Sequence, residues 1–319
     1  MLVITKKQPV TVDPIRIDKV SMTMPITDAS LQQSVLSSME TLVHVGHATV
    51  KNMGGYYHSI WIPFEHPQEK VMLVQASPKT AKAFLRVEFN PFKNPMAEVH
   101  AMLNFIVPGG YSAFLAKSKL TRTDIAIDVH MVRPGQLLVT HQGFQTGNTF
   151  AKSGTVNGYV VGTKGSARHF VVYDKQLQLK KQNTKSPWKV FVPDHAVTRI
   201  EAQLKVDLPT SQIATLPNPF AKLAMADFGS IMANDDYTKL FLLAALGTGA
   251  QTALAAVTPA RRKVFKQQLS DAVPTWWSPA YCWQAWPEEA KKVLVPPPAA
   301  YDLSLHKKSP PAMGSHLAH

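Results

Sequence analysis

The sequence contains a single cysteine, Cys282, among its 319 residues. An intrachain disulfide is therefore impossible, and zinc sites built on several cysteines are excluded. The lone thiol lies in a segment that also carries Trp276, Trp277, Trp283 and Trp286. An apolar setting of this kind favours a structural thiol over a catalytic nucleophile, and it favours buried packing of the tryptophans over stacking on bases.

Long apolar runs are also lacking. The longest, residues 241–257, is interrupted by Gly247-Thr248-Gly249 and is shorter than the roughly 20 residues that span a bilayer. The first residues carry no sustained apolar stretch of the kind that a secretory signal requires. We therefore expect a cytoplasmic protein with no membrane partner.

Acidic residues are scarce relative to basic ones. Lys and Arg number 34 against 21 Asp and Glu, which gives a net charge of +13 and a pI near 9.7. This excess favours a polyanionic partner, and because no single amphipathic basic helix dominates, it favours nucleic acid over a membrane surface. With 45% apolar and 17% charged residues, the chain is predicted to be globular.

Local patterns predict an α+β fold with a mainly antiparallel sheet. Strands are expected near residues 17–24, 41–50, 56–63, 70–75, 84–89, 121–132, 136–140, 158–162, 168–174 and 197–206. Helices are expected over residues 95–107, shortly after Lys175, and over 237–246, 250–257 and 259–270. Composition divides the chain into an α+β catalytic domain (1–209), a helical accessory domain for DNA recognition (210–286) and a proline-rich flexible tail (287–319).

Acids and a tyrosine lie on predicted strands, where alternate side chains share a face. In Arg122-Thr123-Asp124-Ile125-Ala126-Ile127-Asp128 both aspartates lie opposite the isoleucines. In Arg199-Ile200-Glu201-Ala202-Gln203-Leu204 the glutamate lies opposite Ile200, Ala202 and Leu204. A third run, His169-Phe170-Val171-Val172-Tyr173-Asp174-Lys175, places a phenol and an amine on one face. Phenol, acids and cations on sheet faces that can meet are suited to attack on a phosphate.

These three segments resemble the replication initiation factor family of rolling-circle plasmids, which includes conjugative-element relaxases and relatives in filamentous phages. The family pattern is an Arg-x-Asp-x-x-x-Asp strand, a Gly-Ser turn leading to Tyr-Asp/Asn/Glu-Lys, and an Arg-x-Glu strand. Here the order is Arg122 to Asp128, then Gly165-Ser166 with Tyr173-Asp174-Lys175, then Arg199-Ile200-Glu201. The match covers about 80 residues, roughly a quarter of the chain.

The resemblance implies a bacterial endonuclease that nicks one strand at an origin, stays joined to the 5′-phosphate through Tyr173, and later rejoins the strand. Lys175, on the same face as Tyr173, is expected to hold the phosphate. Oxygen ligands from Asp124, Asp128 and Glu201 suit Mg²⁺ or Mn²⁺, which would neutralise the phosphate.

The expected partners are origin DNA, single-stranded at the nick and duplex for recognition, and, through the resemblance, a host helicase and a second copy of the chain. DNA contacts are expected from Arg122, Lys164, Arg168, Arg199, Arg261, Arg262, Lys263 and Lys266.

Other interpretations of these residues stay open. Tyr173 could be an ordinary strand aromatic, the acids could pair with neighbouring arginines, and Asp128 could cap a turn. His130 and His169 lie on faces where either could assist as ligand or base. Tyr159 is the nearest alternative nucleophile. A conjugative relaxase of the same chemistry, or a non-catalytic nucleic-acid-binding protein, are the competing functions.

Overall fold

The computed structural model describes residues 9–64, 71–80, 83–144, 146–152, 155–163, 165–185, 189–231 and 235–295. The strands are β1 (Thr11–Val12), β2 (Arg16–Met24), β3 (Thr49–Val50), β4 (Tyr56–Pro63), β5 (Val71–Pro78), β6 (Leu85–Phe89), β7 (Lys119–His130), β8 (Leu137–His141), β9 (Gly147–Lys152), β10 (Thr155–Val161), β11 (Arg168–Asp174), β12 (Val197–Pro209) and β13 (Leu223–Asp227). The helices are α1 (Ala29–His44), α2 (Met96–Ile106), α3 (Gly110–Lys117), α4 (Lys175–Lys185), α5 (Asp236–Thr248), α6 (Ala250–Ala256), α7 (Pro259–Asp271), α8 (Pro279–Trp283) and α9 (Trp286–Leu294). The expected α+β class with a mainly antiparallel sheet is confirmed.

The chain forms two compact units. As far as they are described, residues 1–20, 120–208 and 212–291 form the larger unit, and residues 21–119, 209–211 and 292–319 form the smaller one. The larger unit contains strands in the order β2, β7, β12, β11, β10, β9, with β1 paired to β7, and a separate β8–β13 pair. The smaller unit contains β3, β4, β5, β6 and the second half of β2.

This division departs from the linear one expected from composition. The helical region α5–α7 lies in the same unit as the strands that carry the candidate site, because its apolar side chains pack with Leu138 and Ala226 of the β8–β13 pair. Composition changes along the chain near Pro209, but the segments before and after it share buried apolar side chains and so belong to one unit. The expected flexible tail is also shorter at its start, since α9 occupies residues 286–294; residues 296–319 lie outside the described part of the chain.

One side of the candidate strands forms the core that the alternation predicted. Ile125, Ile127, Ile200, Ala202 and Leu204 are all buried. Two of the tryptophans, Trp277 and Trp286, and the thiol of Cys282 are buried as well, as expected for structural packing. The acids and Tyr173 therefore stand on the side of the sheet opposite to these aliphatic residues.

In the smaller unit, the strand expected over residues 41–50 is divided: residues 41–44 end helix α1, and residues 45–48 form a turn. Thr41, Val43 and other branched residues favour a strand locally, but α1 buries Val35, Met39 and Leu42 at helical spacing. Asp28 caps the first turn by accepting a hydrogen bond from the Leu31 amide. The buried stripe outweighs the intrinsic preference of branched residues, which is a weak signal by comparison. Only Thr49–Val50 remain as a strand.

No single helix among the described residues is long and apolar enough to cross a membrane. One bent pair, α2 and α3, passes by length and composition only, with an angle of 87° between the two helices.

Candidate active site

Tyr173 lies near the end of β11, with β12 on one side and β10 on the other. The register places Tyr173 opposite Arg199 and Val171 opposite Glu201 on β12. Because alternate residues share a face, Tyr173, Arg199 and Glu201 lie on the same side of the sheet. This is the arrangement that the spacing of the two segments predicted.

The Tyr173 hydroxyl points at a carboxylate. It donates to Glu201 Oε2 at 3.4 Å, the long end of hydrogen-bond distances. Burial raises the pKa of the phenol above its ordinary value; the guanidinium of Arg199 opposes this shift, and the carboxylate of Glu201 adds to it. The phenol is therefore a poor nucleophile by itself and needs a base to take its proton.

The neighbouring strand β10 approaches the backbone of Tyr173 closely. On β10, Gly158 is the cross-strand partner of Tyr173. A Cβ atom at Gly158 would lie 2.3 Å from the carbonyl oxygen of Val172 and 3.1 Å from Cα of Tyr173, so only glycine fits. The pair Asn157-Gly158 has the sequence of a turn, but it lies inside a strand at an irregularity of the β9–β10 register.

Asp128 lies on the predicted face, but it is enclosed by arginines. Its Oδ1 accepts from Arg199 Nε at 2.7 Å and its Oδ2 from Arg199 Nη2 at 2.9 Å, and Arg16 also donates to Oδ2. Burial alone would raise the pKa of Asp128, but the hydrogen bond and charge of Arg199 bring it below its ordinary value. Both oxygens of Asp128 therefore serve ion pairs, not the metal ion expected from the sequence.

Arg199 was expected to contact DNA, but in the structure its side chain is buried and paired with Asp128 and Asp18. Its side chain is 4% exposed and also donates to Asp18 Oδ2 at 3.3 Å. A buried guanidinium held by two aspartates positions the strands and the charge around Tyr173. A direct contact with a DNA phosphate would require these ion pairs to break.

Asp124 and Glu201 form a second group of acids on this face. Arg122 donates to both oxygens of Asp124 at 2.8 Å and to Gln203 Oε1 at 3.1 Å. Gln203 in turn donates to Glu201 Oε1 at 2.7 Å. Burial raises the pKa of both carboxyl groups, and the charge of Asp124 raises that of Glu201 further.

The three carboxylates expected to share a metal ion do not form one ligand set. No group of three or more His, Cys, Asp or Glu side chains in the described part of the chain is arranged to hold a metal ion. Of the other two, Glu201 accepts from the neutral groups of Tyr173 and Gln203 and is a suitable oxygen donor for a hard divalent cation, whereas Asp124 would first have to give up its ion pair with Arg122. Asp128 does not fit, since its oxygens are already neutralised by Arg199 and Arg16.

Asp18 on β2 is a site residue that the sequence reasoning missed. Its charge raises the pKa values of Tyr173, Asp124 and Glu201, so it faces the same space. The signal is present as Arg16-Ile17-Asp18, an Arg-x-Asp run on a predicted strand like that of Arg122. This run lies outside the quarter of the chain that resembles a known pattern.

Lys175 begins α4 directly after the strand of Tyr173. It is buried, donates to Gln178 Oε1 at 2.6 Å, and helps lower the pKa of Asp128 through its charge. Asp174 caps the same helix by accepting from the Leu177 amide. Lys175 therefore starts a helix and does not continue the strand face of Tyr173 as the alternation predicted; its charge acts on Asp128, and its contact with a phosphate stays a prediction.

The two histidines differ in their surroundings. His130 makes contacts of 2.8 Å with His195 and 3.1 Å with Asp13, next to the β1–β7 pairing. His169 is buried, opposite Gln203 in the β11–β12 register. Assistance in catalysis by either histidine stays a prediction.

Tyr159, the alternative nucleophile, lies in the core. Its side chain is 1% exposed, and burial raises the pKa of its phenol. It pairs with Val172 in the β10–β11 register, on the face opposite to Tyr173. A phosphate could reach it only if the core opened.

Two further basic residues that were expected to contact DNA are Lys164 and Arg262. Lys164 lies outside the described residues. On α7, Arg262 donates to the carbonyls of Leu254, Ala255 and Val257, so it caps the end of α6. The DNA contact expected of Arg262 would require these hydrogen bonds to break.

The other cations of α7 are exposed. Arg261 stacks over the Tyr237 ring at 4.7 Å, and Lys263 and Lys266 are open to solvent. The role of these three as DNA contacts stays a prediction.

Comparison with known proteins finds only a weak structural similarity. No protein-family model matches the chain, and no curated protein matches it either. Among solved structures it is similar to the rolling circle replication initiator protein from Geobacillus stearothermophilus, with 15% identity, a TM-score of 0.37, and coverage of 74% of this chain and 96% of that one. Similarity at this level assigns no function, so the functional argument rests on the sequence pattern and the site.

Proposed function

We propose that the chain is a rolling-circle replication initiator that nicks one DNA strand through Tyr173. The observation that carries the proposal is the contact of the Tyr173 hydroxyl with Glu201, on a sheet face where Arg199 supplies positive charge. This is a nucleophile with a base within reach, the minimum that phosphoryl transfer to a side chain requires. The resemblance of the three strand segments supports the same reaction.

In the proposed reaction the Tyr173 oxygen attacks the phosphorus of the scissile phosphodiester. A bond forms between that oxygen and phosphorus, the bond to the 3′ oxygen breaks, and the leaving 3′ oxygen takes a proton from water to become a 3′-hydroxyl. The phenol proton passes to Glu201, whose raised pKa makes it a stronger base than an ordinary carboxylate. Rejoining runs the same steps backwards, with the 3′-hydroxyl as nucleophile.

Asp124 is the residue that would hold Mg²⁺ or Mn²⁺ in this proposal, because Glu201 serves as the base. Such an ion would supply charge neutralisation at the phosphate. Asp124 would have to give up its ion pair with Arg122, whose side chain is 36% exposed. Asp128 has no part in this site, and it positions Arg199 instead.

A non-catalytic nucleic-acid-binding protein is the second candidate. It is favoured by one observation, the pairing of both aspartates on β7 with arginines, as on a sheet that merely neutralises its own charges. A conjugative relaxase would use the same chemistry as an initiator and differ only in the DNA that it recognises.

The test is capture of a covalent adduct. Wild-type protein is incubated with labelled single-stranded oligonucleotides and Mn²⁺, denatured, and the modified peptide is mapped. We expect an adduct on Tyr173 that disappears in Tyr173→Phe, with DNA affinity retained because only one oxygen is removed. Tyr237→Phe, on α5 of the same unit, is the matched control and should form the adduct normally.

An adduct at wild-type level in Tyr173→Phe would overturn the assignment of the nucleophile. Absence of any adduct from the wild type, in both Mg²⁺ and Mn²⁺, would favour the non-catalytic protein. Origin or transfer-origin DNA supplied as separate substrates would distinguish an initiator from a relaxase.

A further inference from the structure

A groove of about 660 Å³ lies in the larger unit, at the start of β11. We call it the cationic groove; its lining includes Phe144, Arg168, Leu204, Lys205, Leu216 and Lys222. Its volume is within the roughly 300–1,000 Å³ typical of pockets for small ligands. It can take a short flexible segment but not the width of a double helix.

The charged residues that line the groove all carry the same sign. Arg168, Lys205 and Lys222 contribute cations, and none of the described lining residues is an acid. The nearby ring of His141 responds to this field: burial lowers its pKa to about 4, and the charges of Arg168 and Lys222 contribute to the same shift. Arg168 and Lys222 line the same groove, so one strand of nucleic acid can contact both cations.

The walls of the groove are apolar. Among the lining residues, Leu204 and Leu216 are buried, and Phe144 is half-buried with the Arg168 guanidinium over its ring at 5.6 Å. Apolar and aromatic walls beside cations are the surface that single-stranded nucleic acid uses, since unpaired bases stack while the backbone meets the charges. A duplex turns its bases inward and gains nothing from such walls.

The groove is separate from the candidate active site. Arg168 pairs with Leu204, and both lie on the face of the sheet opposite to Tyr173, Arg199 and Glu201. Tyr173 lies five positions after Arg168 on β11, about 17 Å away at roughly 3.4 Å per residue. A molecule in the groove therefore leaves the Tyr173 face open.

We propose that the cationic groove binds a short single-stranded stretch of DNA, with phosphates at Arg168 and Lys222 and a base against Phe144. The inference rests on the proposed function in one respect, that DNA is the partner. It adds a second contact, on the opposite face, that keeps a strand attached while the Tyr173 face acts on the scissile phosphate.

Photocrosslinking locates the contact directly. A single-stranded oligonucleotide that contains 5-iodouridine is irradiated with the full-length protein, and crosslinked peptides are mapped by mass spectrometry. We expect a crosslink at Phe144 that is lost in Phe144→Leu. A duplex of the same sequence should give no crosslink there.

Salt dependence of binding to the same oligonucleotide measures the phosphate contacts. Each cation that ceases to meet a phosphate lowers the slope of log K against log salt by about 0.7, so Arg168→Gln with Lys222→Gln should reduce it by about 1.4. Between about 50 and 200 mM salt the wild type should therefore lose roughly sevenfold more affinity than the double variant. Lys180→Gln with Lys181→Gln, exposed on α4, removes the same charge elsewhere and should leave the slope unchanged.

The outcomes separate the inference from the proposed function. An unchanged slope, or crosslinks only at other sites, overturns the groove even if Tyr173 forms its adduct. Failure of the adduct with a crosslink at Phe144 removes the nicking function and keeps the groove. If the double variant is unstable, Lys222→Gln alone, at an exposed position, should still reduce the slope by about 0.7.

Discussion

Asp128 and Glu201 are buried carboxylates on the same side of one sheet, yet their environments are opposite. Asp128 receives hydrogen bonds from two guanidinium groups, and its pKa is lowered. Glu201 receives hydrogen bonds from the neutral groups of Gln203 and Tyr173, and its pKa is raised. The first acid is neutralised by the fold, whereas the second keeps a charge that the fold does not balance.

This difference separates a structural acid from a candidate functional one. A buried carboxylate without an opposite charge is costly, so a position that retains one destabilises the native state. Such local conflicts collect at functional sites, where the missing charge comes from a substrate or an ion. Glu201, with Asp124 and Asp18 nearby, fits that description; Asp128 does not.

The largest expected effect is on stability, from Asp128→Asn. The change leaves Arg199 buried without its main partner, and breaking a buried ion pair in this way costs about 3–5 kcal/mol. Unfolding in denaturant at neutral pH measures it. Asp236→Asn, which breaks an exposed pair with Lys239, is the matched control and should change the free energy of unfolding by less than about 1 kcal/mol.

The sign of the pH dependence follows from the lowered pKa of Asp128. Its contribution to stability is fully present above the unfolded-state pKa, which is about 3.9, and is lost as pH falls through the folded-state value. The destabilisation in Asp128→Asn should therefore shrink in acid. A difference that stays constant down to about pH 2 would contradict the ion-pair explanation.

Glu201→Gln should act in the opposite direction on stability. Removing a charge that the fold does not balance should raise the free energy of unfolding at neutral pH, within the roughly 0.5–2 kcal/mol typical of relieved functional sites. Adduct formation at Tyr173 should fall by two orders of magnitude or more, because a general base contributes about 10²–10⁴-fold. Both quantities are measured on the same preparation.

The raised pKa of Glu201 again fixes the sign. A carboxyl that is more readily protonated in the folded state costs stability as pH rises through the folded-state pKa, and costs nothing when protonated. The gain in Glu201→Gln should therefore disappear at low pH. Loss of stability in this variant at neutral pH, together with normal adduct formation, would make Glu201 an ordinary structural acid.

Much of the candidate site was predictable from strand alternation. A period of two, applied to the runs around Asp124, Tyr173 and Glu201, placed all three on the correct sides of their strands. Which acid receives which arginine was not predictable, because Arg199 could satisfy Asp128 or Glu201 equally well at the level of sequence. That choice depends on the register between β7 and β12, which no local pattern specifies.

The fold was predictable where local and long-range preferences agree. The strands near Tyr56 and Arg168 and the helices of the 237–271 region have clear periods, and they form as expected. Prediction was wrong over residues 41–48: burial of a helical stripe overrode the branched residues of 41–44, and a turn follows before the strand Thr49–Val50. It also missed the short strand Leu223–Asp227, whose partner β8 is distant in sequence.

The smallest expected effects compare two neighbouring cations on α7, Arg262 and Lys263. Arg262 donates to three carbonyls at the end of α6, so Arg262→Ala should lower the free energy of unfolding by about 1 kcal/mol. Lys263 is exposed, and Lys263→Ala should leave stability unchanged. If Lys263 contacts a duplex phosphate, as the sequence predicted, the same change should reduce the salt slope of duplex binding by about 0.9.

Arg262→Ala should therefore change the free energy of unfolding, and Lys263→Ala should change the salt slope of duplex binding. Replacing all four basic residues of α7 at once would mix a folding defect at Arg262 with loss of DNA binding, and weak duplex binding would then have two explanations. Single variants avoid this, because unfolding free energy reports the cap and the salt slope reports the phosphate contact. An unchanged slope for Lys263→Ala, followed by the same result for Lys266→Ala, would make the exposed lysines of α7 an ordinary solvated surface. Duplex recognition would then have to lie elsewhere in the chain.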